Sequence, residues 1–216
     1  MSCRYHHAVA LASNRPQSQD AVGVYERGDA LVVVLADGGG SLRGGETASR
    51  SLVAVVEAAV HDPTFVLEDV RPWIDLFLAT DAGLAANRAG ETTGVVVVLG
   101  RHGFMGVSIG NSEAWVVKPV GLDNLTVGQH TKQRLGSNRA TLAVFERPTL
   151  CGMLVIATDG LFAYAASEVI ARTVRASKPG EAAGQLIELV RLRSGKVADD
   201  ISMVLVWDHS GTTEPS

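Results

Sequence analysis

Ala30-Leu-Val-Val-Val-Leu-Ala36 runs without a polar break into Asp37-Gly38-Gly39-Gly40. The apolar run Leu31–Ala36 is too short for a helix and is rich in β-branched residues, so it reads as a buried strand. The aspartate and glycines that follow predict a tight loop at its end. A carboxylate at a strand end stands on a rigid platform, and a glycine after it lets backbone and ligand approach closely. Asp37 is therefore the first candidate for chemistry. Three further acidic positions repeat the arrangement: Asp159 follows Leu154-Val-Ile-Ala-Thr158 and precedes Gly160, Asp199-Asp200 leads into Ile201–Trp207, and Asp20 leads into Ala21-Val-Gly-Val24. Carboxylates with neighbouring carbonyls are the oxygen donors that Mg²⁺ and Mn²⁺ prefer. Singly, each has an ordinary explanation as a turn or a helix cap. The combination carries the argument.

Outward from Asp37, Gly44–His61 has helical spacing, with Ala48, Leu52, Val55, Val56 and Ala59 on one side. A second helix is predicted over Val66–Ala89, with Pro72 and Gly83 as places where it would break or kink. The period then changes. Gly94–Gly100, Phe104–Ile109 and Ala114–Val117 read as an antiparallel meander, and Arg139–Phe145 and Met153–Ala157 as two more strands. Helices near Tyr164–Ala176 and Gly180–Arg193 precede a last strand, Ile201–Trp207. Upstream, Ala8–Ala12 and Ala21–Tyr25 are short apolar segments separated by a turn at Asn14-Arg15-Pro16. This is a layered α/β arrangement without the regular βαβ alternation of a doubly wound sheet.

The chain has 216 residues, 46% of them hydrophobic, which suits one globular domain with a full core. Residues 1–208 are expected to form that domain and 209–216 a polar, flexible tail. Nineteen basic against 23 acidic residues leave a net charge of −4, which argues against nucleic acid or an anionic membrane as the main partner. No apolar run is long enough to span a bilayer, and no signal peptide is visible at the N-terminus. Cys3 and Cys151 give neither a disulfide framework nor a metal spacing. A cytoplasmic protein is expected.

Other phosphate and nucleophile motifs fail on spacing. Gly40-Ser-Leu-Arg-Gly-Gly45 is followed by Glu46-Thr47 rather than Lys-Ser/Thr, and Arg43 stands where a dinucleotide-binding loop needs glycine. Gly110-Asn-Ser112-Glu-Ala114 approximates a nucleophile elbow, with Asp159 and His209 in hydrolase order. Such an elbow must lead into a helix, however, and Ala114–Val117 reads as a strand.

In order along the chain, the remaining motifs resemble those of the metal-dependent Ser/Thr protein phosphatases, the protein phosphatase 2C-like (PPM) family, in its short bacterial form. Arg15-Pro-Gln-Ser-Gln-Asp20 is similar to the family's opening Arg-x-x-Asn-Glu/Gln-Asp. Leu35-Ala-Asp37-Gly38-Gly39-Gly40 and Gly44-Gly45-Glu46-Thr-Ala48-Ser49 resemble Val-x-Asp-Gly-x-Gly-Gly and Gly-Glu-x-Ala-Ser. Thr92-Thr93-Gly94, Ile109-Gly110-Asn111-Ser112, Leu125-Thr126 with His130, Thr158-Asp159-Gly160-Leu161 and Asp199-Asp200-Ile201-Ser202 follow in family order. The resemblance covers Arg15 to Val206.

It implies a central antiparallel β-sandwich flanked by pairs of helices (αββα), with a binuclear metal cleft at one end. It also implies two divalent ions, Mn²⁺ or Mg²⁺, and hydrolysis of phosphoserine and phosphothreonine in proteins by a metal-activated bridging water. Asp37 would bridge both ions, the Gly38 carbonyl would bind one, and Asp159 and Asp199 would complete the other site. Asp20 would hold metal-bound water, and Arg15 would grip the substrate phosphate. The expected partner is a phosphorylated protein, such as a kinase or a partner-switching regulator.

Five positions depart from the pattern. Asn111 replaces an aspartate that helps hold a third metal in relatives, so a third site is expected to be weak or absent. Glu113 replaces arginine and would return some acidity nearby. Gln129 replaces an aspartate. Asp200 replaces asparagine and adds charge beside a metal ligand. Gly39 leaves no histidine next to Asp37, so protonation of the leaving group would fall to water. An alternative follows: a phosphatase-like module with little turnover that binds a phosphorylated regulatory partner. The segment Gly121–Ser137 is a candidate flap beside the cleft.

Overall fold

The structure, a computed structural model, describes residues 3–39 and 44–208. Gly40, His209 and the tail at 209–216 lie outside the described residues. Along the chain run β1 (Tyr5–Ala12), β2 (Asp20–Arg27), β3 (Ala30–Gly39), α1 (Gly45–His61), α2 (Val70–Asn87), β4 (Glu91–Thr92), β5 (Gly94–Gly100), β6 (Gly103–Ile109), β7 (Glu113–Val117) and β8 (Leu122–Asn124). Then come β9 (Ala143–Arg147), β10 (Met153–Ala157), α3 (Asp159–Phe162), α4 (Ser167–Ala176), α5 (Pro179–Val190) and β11 (Ile201–Asp208). One sheet has the order β1-β11-β10-β7-β8 and the other β2-β3-β5-β6-β9, with β4 paired to the end of β3. The strand pairings are antiparallel.

The apolar run at Leu31–Ala36 is explained by layering. Val32, Val34 and Ala36 face Leu52 and Val56 of α1 and Trp73 and Phe77 of α2. Leu31, Val33 and Leu35 face Leu154, Ile156 and Val204 of the other sheet. An antiparallel strand usually wets one face and alternates; this one is covered on both, so it reads as continuous. Each such side chain, fully buried, adds about 1.5–3 kcal/mol in apolar transfer. On the far side, Val155, Met203 and Leu205 pack against Leu161 of α3, Ile170 of α4 and Leu186 of α5. The four layers are those expected from the sequence.

The differences are local. The second helix begins at Val70, where Asp69 accepts a hydrogen bond from the Arg71 amide and caps it. Pro72 then falls in the first turn, where a missing N–H costs nothing, and Gly83 lies inside the helix on its exposed side without ending it. The helix expected from Tyr164 starts at Ser167, because Asp159–Phe162 forms a short helix of its own. The strand expected over Arg139–Phe145 is Ala143–Arg147. Its predicted first half is held elsewhere: the carboxylate of Asp81, buried in α2, accepts from the amides of Gly136 (2.7 Å), Asn138 (3.0 Å) and Ala140 (3.1 Å). No described helix is long and apolar enough to cross a membrane.

Candidate metal and phosphate site

The acidic positions meet at one end of the sandwich because both sheets contribute strand ends there. Asp20 opens β2 and stands directly opposite Asp37 near the end of β3. The Asp37 carbonyl accepts from the Thr93 amide (2.9 Å) and the Thr92 hydroxyl (3.0 Å), which fixes the strand end. Gly38 donates its amide to the Gln19 carbonyl (3.1 Å). A Cβ on Gly38 would stand 2.3 Å from the Gly45 carbonyl at the start of α1, so only glycine fits. From the other sheet, Asp159 follows β10 and Asp199 precedes β11, which are neighbours. Thr158 donates its amide to the Ser202 carbonyl (2.9 Å), drawing the two strand ends together.

Arg15, Gln19, Asp37, Gly38, Gly39, Arg134, Asp159, Asp199 and Asp200 line a cleft of about 290 Å³. Asp20 lies behind Asp37 rather than on the cleft wall, where the Thr158 hydroxyl donates to its Oδ2 (3.0 Å). Larger hollows occur elsewhere, including one of about 590 Å³ at the opposite end of β3, where both arginines are already engaged. There Arg27 donates to the carbonyls of Val60, Asp62 and Phe65, and Arg101 pairs with Asp29. The smaller cleft is the one that gathers the acidic strand ends.

Its electrostatics are those of crowded carboxylates. Burial, followed by the charge of Asp37, pushes Asp20 up to about 8. Burial and then the charge of Asp159 push Asp37 up to about 6. Asp159 is raised by burial and by Asp199. Oδ1 of Asp20 and Oδ1 of Asn111 are buried and accept no hydrogen bond. An all-oxygen donor set with repelling carboxylates and orphaned acceptors fits hard divalent cations. Among the described residues, no three Asp, Glu, His or Cys side chains are gathered into a ready-made cage. The groups share one cleft and one field, and cation binding would draw them closer.

Arg15 donates to Gln19 Oε1 (2.6 Å) and lies 3.9 Å from Asp199. Its loop is clamped from below. Asp200 accepts from the Ser13 hydroxyl (2.6 Å), the Asn14 amide (3.1 Å), the Ser18 hydroxyl (3.2 Å) and the Gln19 amide (3.1 Å). Burial alone would push Asp200 up, but these bonds outweigh it and hold its carboxyl below the ordinary range. Asp200 thus carries the negative charge expected beside Asp199, and that charge also holds the loop that bears Arg15. Glu113 likewise accepts from the Trp115 indole (2.6 Å) and the Asn124 amide (2.8 Å), so its carboxylate is committed away from the cleft. Gln129 donates to the Ser112 carbonyl (2.8 Å). Asn111 Nδ2 donates to Asp159, so this amide joins the cluster through its donor while its Oδ1 stays unpartnered.

The sequence reading missed Arg134, which enters the cleft across Gly39. Its only early signal is a stretch, 124–145, that contains no acidic residue.

An αββα sandwich with paired sheets, helices on both outer faces and an acidic cleft at one end defines the protein phosphatase 2C-like fold. The solved structures carry that fold closely. The Ser/Thr phosphatase Stp1 from Staphylococcus aureus superposes with a TM-score of 0.80 at 18% identity, covering 95% of each chain. The S. agalactiae Ser/Thr phosphatase gives 0.78 at 19% identity over 94% of this chain and 99% of that one. The catalytic domain of the Ser/Thr phosphatase PstP, in complex with two manganese ions, gives 0.75 at 22% over 94% and 96%. No family model matches the sequence, and no curated protein matches it.

Proposed function

We propose that the chain is a metal-dependent phosphatase acting on phosphoserine and phosphothreonine in cytoplasmic proteins, with residues 1–208 as one catalytic domain. The observation that carries this reading is the convergence of Asp37, Asp159 and Asp199 from two sheets on one cleft that Arg15 also lines. Asp37, the Gly38 carbonyl, Asp159 and Asp199, with Asp20 behind them, would hold two divalent ions, Mn²⁺ or Mg²⁺. When bound, such ions lower the pKa of water toward neutrality and neutralise phosphoryl oxygens. The chain's own residues do the rest. Arg15, steadied by Asp200, offers a planar, permanently charged fork to the phosphate. Thr158 orients Asp20 by hydrogen bonding to Oδ2, leaving Oδ1 free for a donor or cation. Gly39 presents no proton donor, so the leaving seryl or threonyl oxygen takes its proton from water.

The commitments of Asp200, Glu113 and Gln129 to structural hydrogen bonds remove much of the support for a non-catalytic phosphoprotein-binding module. The phosphorylated partner on this reading is a kinase or a partner-switching regulator. The test is hydrolysis of a generic phosphate ester and of a phosphothreonine peptide with Mn²⁺, with Mg²⁺ and with chelator, wild type beside Asp37→Asn. Metal-dependent turnover lost in the variant is expected. No turnover with either metal by the folded wild type would overturn the enzyme reading in favour of the binding module.

A further inference from the structure

Arg134 is held in place more firmly than a loop cation needs to be. The backbone of Leu135, fully buried, exchanges hydrogen bonds with Thr92 (2.9 and 3.0 Å), the residue whose hydroxyl donates to the Asp37 carbonyl. On the other side, Asp81 draws in the Gly136, Asn138 and Ala140 amides. Gly136 has φ of 99°, and a Cβ there would stand 2.3 Å from the Gly90 carbonyl. Arg134 is thereby fastened to the strand end that bears Asp37.

Its side chain then crosses the bare face of Gly39, where a Cβ would lie 2.4 Å from Nε, 2.7 Å from Cδ and 2.9 Å from Cζ. Nε is buried and has no hydrogen-bond partner. Among the described residues, Arg134 forms no salt bridge, although it lines the same cleft as Asp37 and Asp159. A buried N–H donor left without an acceptor is costly, and this one belongs to a half-buried guanidinium that lines the cleft. A carboxylate neighbour near enough to feel its field, yet not paired with it, does not complete it. A tetrahedral oxyanion would.

We propose that Arg134 is a second phosphate-binding side chain, gripping the phosphoryl group of the bound phosphoester together with Arg15. The inference rests on the phosphoester reading of the cleft. It makes Gly39 a specificity position, kept small so that the guanidinium can cross.

The experiment measures calorimetric binding of inorganic phosphate to the full chain with Mn²⁺, alongside Mn²⁺ affinity and KM for a phosphothreonine peptide. The variants are Arg134→Gln, Arg134→Lys, Gly39→Ala and, as a control, Lys132→Gln, a surface cation two residues away. Arg134→Gln should weaken phosphate binding about tenfold or more and raise KM in parallel, with Mn²⁺ affinity held within about threefold. Arg134→Lys should recover part of the loss, because Lys keeps the charge without the fork. Gly39→Ala should reproduce the loss by displacing the guanidinium, and Lys132→Gln should change little. Unchanged phosphate affinity in Arg134→Gln, with tighter Mn²⁺ binding, would overturn the proposal and make Arg134 a counter-ion for the carboxylates. Absence of phosphate binding by Mn²⁺-loaded wild type would overturn both this proposal and the phosphoester reading.

Discussion

Replacing Asp37 with asparagine should stabilise the metal-free protein while abolishing its response to metal. Burial and the charge of Asp159 raise the Asp37 carboxyl from 3.8 to about 6. The folded chain therefore binds a proton that the unfolded chain has already lost between those values, and stability falls as pH rises through that window. A rise of about 2 units corresponds to roughly 3 kcal/mol above pH 6. Asparagine keeps the shape and removes the charge. With chelator at pH 8, Asp37→Asn should be more stable than wild type by about 2–3 kcal/mol, a midpoint increase of roughly 4–12 °C for a chain this long. Near pH 4.5 the gap should shrink by more than half. Adding Mn²⁺ at pH 8 should reverse the order, because only the wild type gains ligand stabilisation. Scanning calorimetry at both pH values, with chelator and then Mn²⁺, reads all four conditions. If the metal-free variant is no more stable than wild type at pH 8, or if the gap is the same at pH 4.5, carboxylate repulsion does not govern this cleft.

Asp200→Ala removes the acceptor for four donors around Arg15; KM for a phosphoester should rise about tenfold with a smaller change in kcat, and stability should fall by about 2 kcal/mol. Because the Asp200 carboxyl is held low, that stability cost should be present at neutral pH and fade as pH falls below the ordinary carboxylate range, as denaturant unfolding across pH would show. Asp81→Ala strands three backbone donors, so hydrogen exchange at Gly136, Asn138 and Ala140 should accelerate and stability drop by about 2–4 kcal/mol. Gly38→Ala sets a Cβ against backbone that cannot yield, and should abolish Mn²⁺-dependent hydrolysis and loosen the first turn of α1 in exchange experiments. Gly83→Ala, in open space on an exposed helical face, should instead raise stability by about 0.5–1 kcal/mol in thermal unfolding.

The layered fold was legible where one local signal sufficed. Leu31–Ala36 showed a buried strand, the spacing from Ala48 to Ala59 showed α1, and the aspartates singled out at strand ends come together at one end of the sandwich. The errors came where a distant group overrode local pattern. Arg139–Leu142 has the look of strand, but a carboxylate on α2 takes its neighbours' amides. Asp159 opens a short helix because the chain must turn at the cleft, which no periodicity announces. The hold of Asp200 on the Arg15 loop was hidden because its donors lie some 180 residues away in sequence, and Arg134 was missed because its place in the cleft depends on Gly39 having no side chain.

Strand β1 has a single neighbour in its sheet, and that neighbour is β11, the last strand among the described residues. Tyr5 pairs with Asp208, and Ala12 with Ile201. The pairing joins strands from opposite ends of the described residues, a closure of very high contact order. Asp199 and the Asp200 clamp on Arg15 arrive with that final segment. A chain cut before Asp199 would keep the residues of β2, β3, β5 and β6, Asp37 among them, yet lack Asp199 and the Asp200 clamp on the Arg15 loop. On the phosphatase reading proposed above, closing β11 against β1 and bringing the phosphate- and cation-binding groups together are therefore one event.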